Sequence, residues 1–411
     1  MPDSYLTKIR IDQAHLWKGK SPLLSTLDME LTERCNLNCI HCYINQPADN
    51  DSIKKQELST ETIKAVLSEA ASLGCLSVRF TGGEPLLRED FSEIYLFSRK
   101  LGLKVRLFTN ATLITPDLVE ILGRIPPLEK IEITVYGIKK NSCEAVTRTP
   151  GSFKAAFDGI NLLRRHHIPF ELKTVVLPPN QHELVEFEVL TKALSEVDEP
   201  PGNTIVLNLR ARRDSQLKNR SIKRLRMSPI ESMKIITRQG EGYRKEMKAF
   251  CAGFMAPAGG RLFPCGAGVG GGCVDAYGAL QPCMLLRHPD TIYNLTNGSL
   301  RGALTGFFPK VRRLKATHPE YLLRCARCFL KGLCEQCPAK SWMEHGTLDT
   351  PVEYYCVFAH AQAEYLGLLR PGEKAWEVLN WRERIKSFPG STPPDKASCD
   401  PVGCRTDGYT V

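Results

Sequence analysis

The sequence predicts an α/β protein, a partial (β/α)6 barrel of parallel strands followed by a cysteine-rich C-terminal domain. Strand and helix signals alternate six times through the first 210 residues, and β-then-α repetition implies a parallel sheet with helices outside. The texture changes after Arg210, where eight basic residues and one acid occupy Arg210 to Arg226. Eleven of the 16 cysteines then fall between Cys251 and Cys404, in a stretch rich in Gly and Pro.

The elements follow in order. Leu27 to Thr32 reads as the first strand. Ser59 caps a helix whose Ile63, Val66, Leu67, Ala70 and Leu73 share one face, and Gly74 ends it. Leu76 to Thr81 is the second strand, followed by a glycine turn and a helix through Ile94, Leu96 and Phe97. Leu103 to Phe108, Ile131 to Tyr136, Phe170 to Leu177 and Thr204 to Leu209 complete the strands, with Ser152 capping a helix before the fifth. Six units fall short of the eight of a closed barrel. One basic helix is expected to run to about residue 249. The Gly-rich path from Gly259 to Gly272 offers little core, so bound metal is expected to organise it. The resulting division is 1–26, an N-terminal segment; 27–210, the barrel; 211–250, a basic helical bridge; 251–370, the cysteine-rich domain; and 371–411, a tail.

Composition narrows the class. Of 411 residues, 42% are hydrophobic and 24% charged, as in folded globular proteins, which excludes disorder and fibrous classes. The net charge of +10 hints at an acidic partner. No apolar run reaches the 18 or so residues that span a bilayer, and the charged start Met1 to Lys20 lacks a secretory core. A cytoplasmic protein with no membrane or nucleic-acid partner is expected. In that reducing compartment 16 cysteines point to metal or cluster binding, with a disulfide framework as the alternative.

Cys35, Cys39 and Cys42 lie on one tight loop at the end of the first strand. Three thiolates can hold three irons of a [4Fe-4S] cube, and the fourth iron stays open for chemistry. A zinc site fits poorly, because no fourth partner stands nearby. The Cys-x3-Cys-x2-Cys spacing, Gly82-Gly83-Glu84-Pro85 after the second strand and Thr109-Asn110 after the third resemble the radical SAM superfamily.

That resemblance implies reductive cleavage of S-adenosylmethionine to a 5′-deoxyadenosyl radical, which abstracts hydrogen from a substrate, with catalysis centred on Cys35, Cys39 and Cys42. It implies that Gly82 and Gly83 let backbone approach the methionine amino group. Glu84 then supplies a carboxylate or shapes the turn. His41 lies at the position beside the adenine. Asn110 and Thr134 reach the ribose, with a turn role for Asn110 as the alternative. Arg148 pairs with the methionine carboxylate or is a solvated loop residue. Cys75 reads as a small buried hydrophobe, and Cys143 lies away from any cluster spacing.

The second constellation is Cys265-x12-Gly278-x4-Cys283, then Cys325-x2-Cys328-x5-Cys334-x2-Cys337-x18-Cys356. It resembles the SPASM domain, which holds two auxiliary [4Fe-4S] clusters, although the family's last interval in the four-Cys run is three residues and not two. Together the resemblance covers residues 25 to 360 and implies a radical SAM barrel with a C-terminal SPASM iron-sulfur domain and three [4Fe-4S] clusters. Auxiliary cluster I would take Cys265, Cys283 and Cys337. Auxiliary cluster II would take Cys325, Cys328, Cys334 and Cys356. Cys273 is the expected fourth ligand of cluster I, with Cys251 as a weaker candidate; without either, an iron is open to a substrate donor. A pair of zinc ribbons is the plain alternative. Cys399 and Cys404 read as tail thiols, a late ligand or a redox pair.

The resemblance implies a maturase that crosslinks or otherwise alters a ribosomally made precursor peptide, fed by a flavodoxin or ferredoxin electron donor. Only 26 residues precede the first strand, so a separate leader-binding protein, or the barrel and its basic stretch, is expected to present the peptide. The alternatives are an enzyme acting on a small haem or quinone precursor and a non-catalytic iron-sulfur electron-transfer protein.

Overall fold

In the computed structural model, residues 23–195, 202–238 and 240–387 are described. Cys399 and Cys404 and most of the N-terminal segment lie outside them. The barrel strands are β1 (Leu24–Thr32), β2 (Ser77–Gly82), β3 (Lys104–Thr109), β4 (Ile131–Thr134), β5 (Phe170–Val175) and β6 (Asn203–Thr204). They pair in that order, all parallel. Three more strands, β7 (Gly270–Val274), β8 (Ala279–Gln281) and β9 (Tyr293–Asn294), extend the sheet on the other side of β1.

Period-two alternation sorts the two faces. Leu27, Met29 and Leu31 of β1, with Val78, Phe80, Val105, Leu107, Ile131 and Ile133, pack under the helices in one buried core. Those helices are α1 (Thr60–Ser72), α2 (Phe91–Lys100), α3 (Pro116–Arg124), α5 (Ser152–Arg165) and α6 (Leu184–Ser195), whereas α4 (Lys140–Thr147) buries Val146 in a second core with Leu177 and Leu209. Ser59 caps α1 by accepting the N–H of Thr62. The opposite face is charged: Asp28 pairs with Arg79 at 3.4 Å and Lys173 with Glu132 at 2.7 Å.

Several expectations change. Ser152 does not cap α5; left-handed Gly151 precedes the helix, and the Ser152 hydroxyl bonds Thr147 instead. The sixth strand is only two residues. The apolar run after it is divided among three packing clusters, with Ile205 against Val176, Val206 against Tyr355 and Leu207 against Leu285. No sheet edge is left for it to extend. The single basic helix is three, α7 (Gln216–Leu225), α8 (Pro229–Ile236) and α9 (Glu241–Phe254). A capping box of Ser228 and Glu231 restarts the chain ahead of Pro229, and Gly240, at φ 53°, stands ahead of α9.

The cysteine-rich region is not short of core. Leu262, Phe263, Leu286, Val311, Tyr321 and Met343 are buried together, and part of the glycine path is β7, hydrogen-bonded to β1. Glycine side chains add nothing to a periodicity count, so the strand was invisible in the sequence. The tail boundary at 370 also moves: Ala375 and Val378 are buried and Trp381 stacks on Phe329 at 6.1 Å. Helices α10 (Pro338–His345) and α11 (Glu353–Tyr365) complete the region. No helix among the described residues is long and apolar enough to cross a membrane.

Candidate functional site

The cysteine loop leaves the C-terminal end of β1 and is tied down from four sides. Asn38 N–H donates to Thr147 O and Ile40 N–H to Val146 O, each at 3.0 Å, so the end of α4 holds its middle. Asn110, just after β3, donates to Asn36 Oδ1 at 3.0 Å and approaches Cys35 Sγ at 3.8 Å. Asn45 closes the loop onto Leu37 O at 3.1 Å. Arg210 reaches Asn45 O at 3.2 Å, and Lys218 donates to Asn45 Oδ1.

The Gly82-Gly83-Glu84 turn braces the same loop. A side chain at Gly83 would put Cβ 2.1 Å from Arg34 O, and one at Gly82 would put it 2.0 Å from Thr32 O. The missing side chains therefore admit the chain at Thr32–Arg34, which accepts the Gly83 and Glu84 N–H groups at 2.7 and 2.9 Å. Glu84 is wholly buried; it accepts from Thr109 Oγ1 and Asn110 N at 2.8 Å and from Leu86 N at 3.1 Å. Burial pushes its carboxyl up to about 7. Glu84 and Asn110 thus act as turn and loop anchors, the plainer of the readings open for them.

The three thiols sit as a group. Burial pushes Cys35 up to about 12 and Cys39 well above its ordinary range, and neighbouring loop thiols add to both shifts. Such thiols ionise only beside a compensating cation, which iron supplies. His41 beside them is held to about 4 by burial and by Lys218, so its ring is neutral; its buried Nδ1 has no partner, and it meets Tyr136 edge-on at 5.2 Å. An orphaned ring nitrogen beside the thiol group fits a bound cofactor's polar edge. Thr134 ends β4, where it pairs with Lys173 of β5. Arg148 is exposed, in a left-handed conformation at the end of α4.

The C-terminal cysteines fall into two groups. Cys325, Cys328, Cys334 and Cys356 line one cavity. Cys283 has Cys337 and Cys265 as its charged neighbours. Cys273 is elsewhere: it lies on β7, paired with Asp28, fully buried, and the groups bearing on its thiol are Glu30, Asp28, Arg287 and Asp275. In-register parallel strands put Cys273 on the charged face of the sheet. Cys251 is buried on α9 among Met247, Phe329 and Leu333, in a core that Cys328 and Cys334 also pack against. All fourteen described cysteines are free, and no three His, Cys, Asp or Glu side chains among the described residues close around a single ion as a zinc ribbon requires.

Sequence reasoning missed a buried charge cluster that joins the halves. Arg287 bonds both oxygens of Glu30 at 2.6 Å, and Arg212 bridges Glu33 at 2.6 Å and Asp275 at 2.7 Å. All but Arg212 are almost wholly buried. Five of the eight basic residues of the stretch, Arg210, Arg212, Arg213, Lys218 and Arg226, point to partners inside this chain, while Arg220 and Arg224 are exposed. No periodicity or motif marks such a cluster.

Residues 29–189 match the model of the radical SAM superfamily. An AdoMet-dependent heme synthase of Methanosarcina barkeri is 36% identical over 168 residues, 41% of this chain and 47% of that protein. A PqqA peptide cyclase of Gluconobacter oxydans is 34% identical over 174 residues, 42% of this chain and 47% of that one. The chain thus matches less than half the length of these curated relatives. A structure of anSMEcpe with bound AdoMet and Kp18Cys peptide shares the fold at a TM-score of 0.59 and 18% identity, covering 84% of this chain and 97% of that one.

Proposed function

We propose that this chain, whose residues 29–189 form a radical SAM domain, is a radical SAM/SPASM enzyme that modifies a ribosomally made peptide. The observation that carries the reading is the braced loop of Cys35, Cys39 and Cys42 at the end of β1, three grouped thiols with no fourth cysteine beside them among the described residues. When bound there, a [4Fe-4S] cluster and S-adenosylmethionine supply a 5′-deoxyadenosyl radical for hydrogen abstraction. The protein's part is positional. Glu84 and Asn110 fix the loop from β2 and β3, α4 holds its middle, and Arg210 with Lys218 closes it from the bridge. His41 would offer its unpaired ring nitrogen to the cofactor, and Thr134, at the end of β4, its hydroxyl. Arg148 would have to swing from solvent to reach it.

Two further clusters complete the reading. Cys325, Cys328, Cys334 and Cys356 would hold one with four ligands. Cys265, Cys283 and Cys337 would hold the other with three, leaving an iron for a substrate donor, because Cys273 and Cys251 are committed elsewhere. The peptide cyclase relative and the peptide-bound structure with the same fold support a peptide substrate. A separate leader-binding protein and a flavodoxin or ferredoxin donor would serve it. The heme synthase relative favours a second reading, a haem-precursor substrate. Anaerobic reconstitution with each class, and mass analysis of substrate and 5′-deoxyadenosine, separates them: a mass change confined to the porphyrin contradicts the peptide reading.

A further inference from the structure

We propose that Arg324 and His360 set the reduction potential of the cluster held by Cys325, Cys328, Cys334 and Cys356, holding it more positive than the thiolates alone would. The inference rests on reading that cavity as a cluster site.

Arg324, Lys331, His360 and Trp376 line the cavity with the four cysteines, and among the described residues no Asp or Glu does. The surroundings suit an anion, and a four-thiolate cube is one. Arg324 Nη2 lies 3.4 Å from Cys356 Sγ. Its Nε–H is buried and has no partner among the described residues. Nη1 pairs with Glu320 and the same Nη2 also pairs with Glu353, each at 2.8 Å, but those carboxylates are 51% and 65% exposed, so solvent weakens their hold on the charge. The Trp376 ring covers the guanidinium at 4.8 Å. A surface ion pair alone would explain neither the sulfur contact nor the orphaned Nε–H.

His360 converges on the same cysteine. Its Nε2 accepts the Ala375 N–H at 3.2 Å, so in the neutral ring the proton is on Nδ1. Nδ1 lies 2.8 Å from Cys356 O and 3.7 Å from Cys356 Sγ. Trp376 meets this ring edge-on at 5.4 Å. Reduction adds one negative charge to a cluster. N–H donors and a nearby cation therefore stabilise the reduced form more than the oxidised form and raise the potential.

The test uses the full chain, reconstituted anaerobically with iron and sulfide, with iron counted and each cluster followed by EPR at poised potentials. In Arg324→Met, which loses donors and charge, one signal should move to more negative potential. Arg324→Lys, which keeps the charge, should move it less. His360→Leu leaves the Arg324 ion pairs alone and should move the same signal the same way. The signal that disappears in a Cys35, Cys39 and Cys42 triple alanine protein should stay in place. Unchanged potentials in Arg324→Met and His360→Leu at full iron content overturn the proposal. If Arg324→Met loses the cluster, the His360→Leu titration decides: a negative shift supports the proposal and no shift overturns it. Iron content unaffected by joint Cys325→Ala and Cys356→Ala changes is a different failure, that of the cluster reading itself.

Discussion

Arg287 bonds both carboxylate oxygens of Glu30 at 2.6 Å, 257 residues apart in sequence and both almost wholly buried. Glu30 stands near the end of β1, five residues before the first loop cysteine, and Arg287 follows the β7–β8 hairpin. The pair, with Glu33, Asp275 and Arg212, clamps the C-terminal region to the strand that carries the cysteine loop.

Removing one side of this cluster should therefore unlock the halves. Arg287→Ala leaves buried carboxylates without their main partner, a loss of about 3–5 kcal/mol. Urea unfolding should show a lower midpoint than wild type, and Arg287→Ala together with Glu30→Ala should recover part of it. An unchanged midpoint in the single variant would show that the clamp does not hold the halves.

Glu84 gives a pH-dependent signature. Its folded carboxyl is raised by burial to about 7, above the 4.5 of the free group. An acid raised on folding contributes most stability below its unfolded value and loses it as pH rises through the folded one. Glu84→Gln should accordingly cost more stability at pH 5 than at pH 8, read from denaturation midpoints. Equal costs at both would refute the buried, uncompensated carboxyl.

Gly83→Ala should fail at the loop. The added methyl meets backbone oxygens of Arg34 and Glu33 at 2.1 and 2.6 Å, which cannot yield without moving the segment that leads into Cys35. Iron analysis after reconstitution should show a deficit of about four irons, one cube. Full iron content would show that the loop tolerates the shift.

Cys273→Ala should keep all cluster iron, because its thiol faces the charged side of the sheet beside Asp28 and Glu30. Cys265→Ala should lose or weaken one cluster. A loss on Cys273→Ala would restore the four-cysteine ligation of cluster I.

The legible parts of this chain were those with local signals. The five longer barrel strands, the Ser59 cap and the cysteine spacings could be read because alternation, capping and motif intervals are short-range. Sequence distance places Cys273 near Cys265 and Cys283 but says nothing about β7 joining β1. Arg212 and Arg226 read as part of a stretch that presents the peptide, because their partners, Glu33 and Glu344, lie more than a hundred residues away. Gly82 and Gly83 read as a close backbone approach to a ligand, and the sequence does not show that the chain's own Thr32–Arg34 packs against them.

The central claim is that the loop of Cys35, Cys39 and Cys42 carries the reactive cluster. It is tested most directly by measuring 5′-deoxyadenosine from S-adenosylmethionine under strong reductant, for reconstituted wild type and for the triple alanine variant. The account predicts product from wild type and none from the variant, with about four irons fewer bound. Equal 5′-deoxyadenosine from both proteins would contradict it.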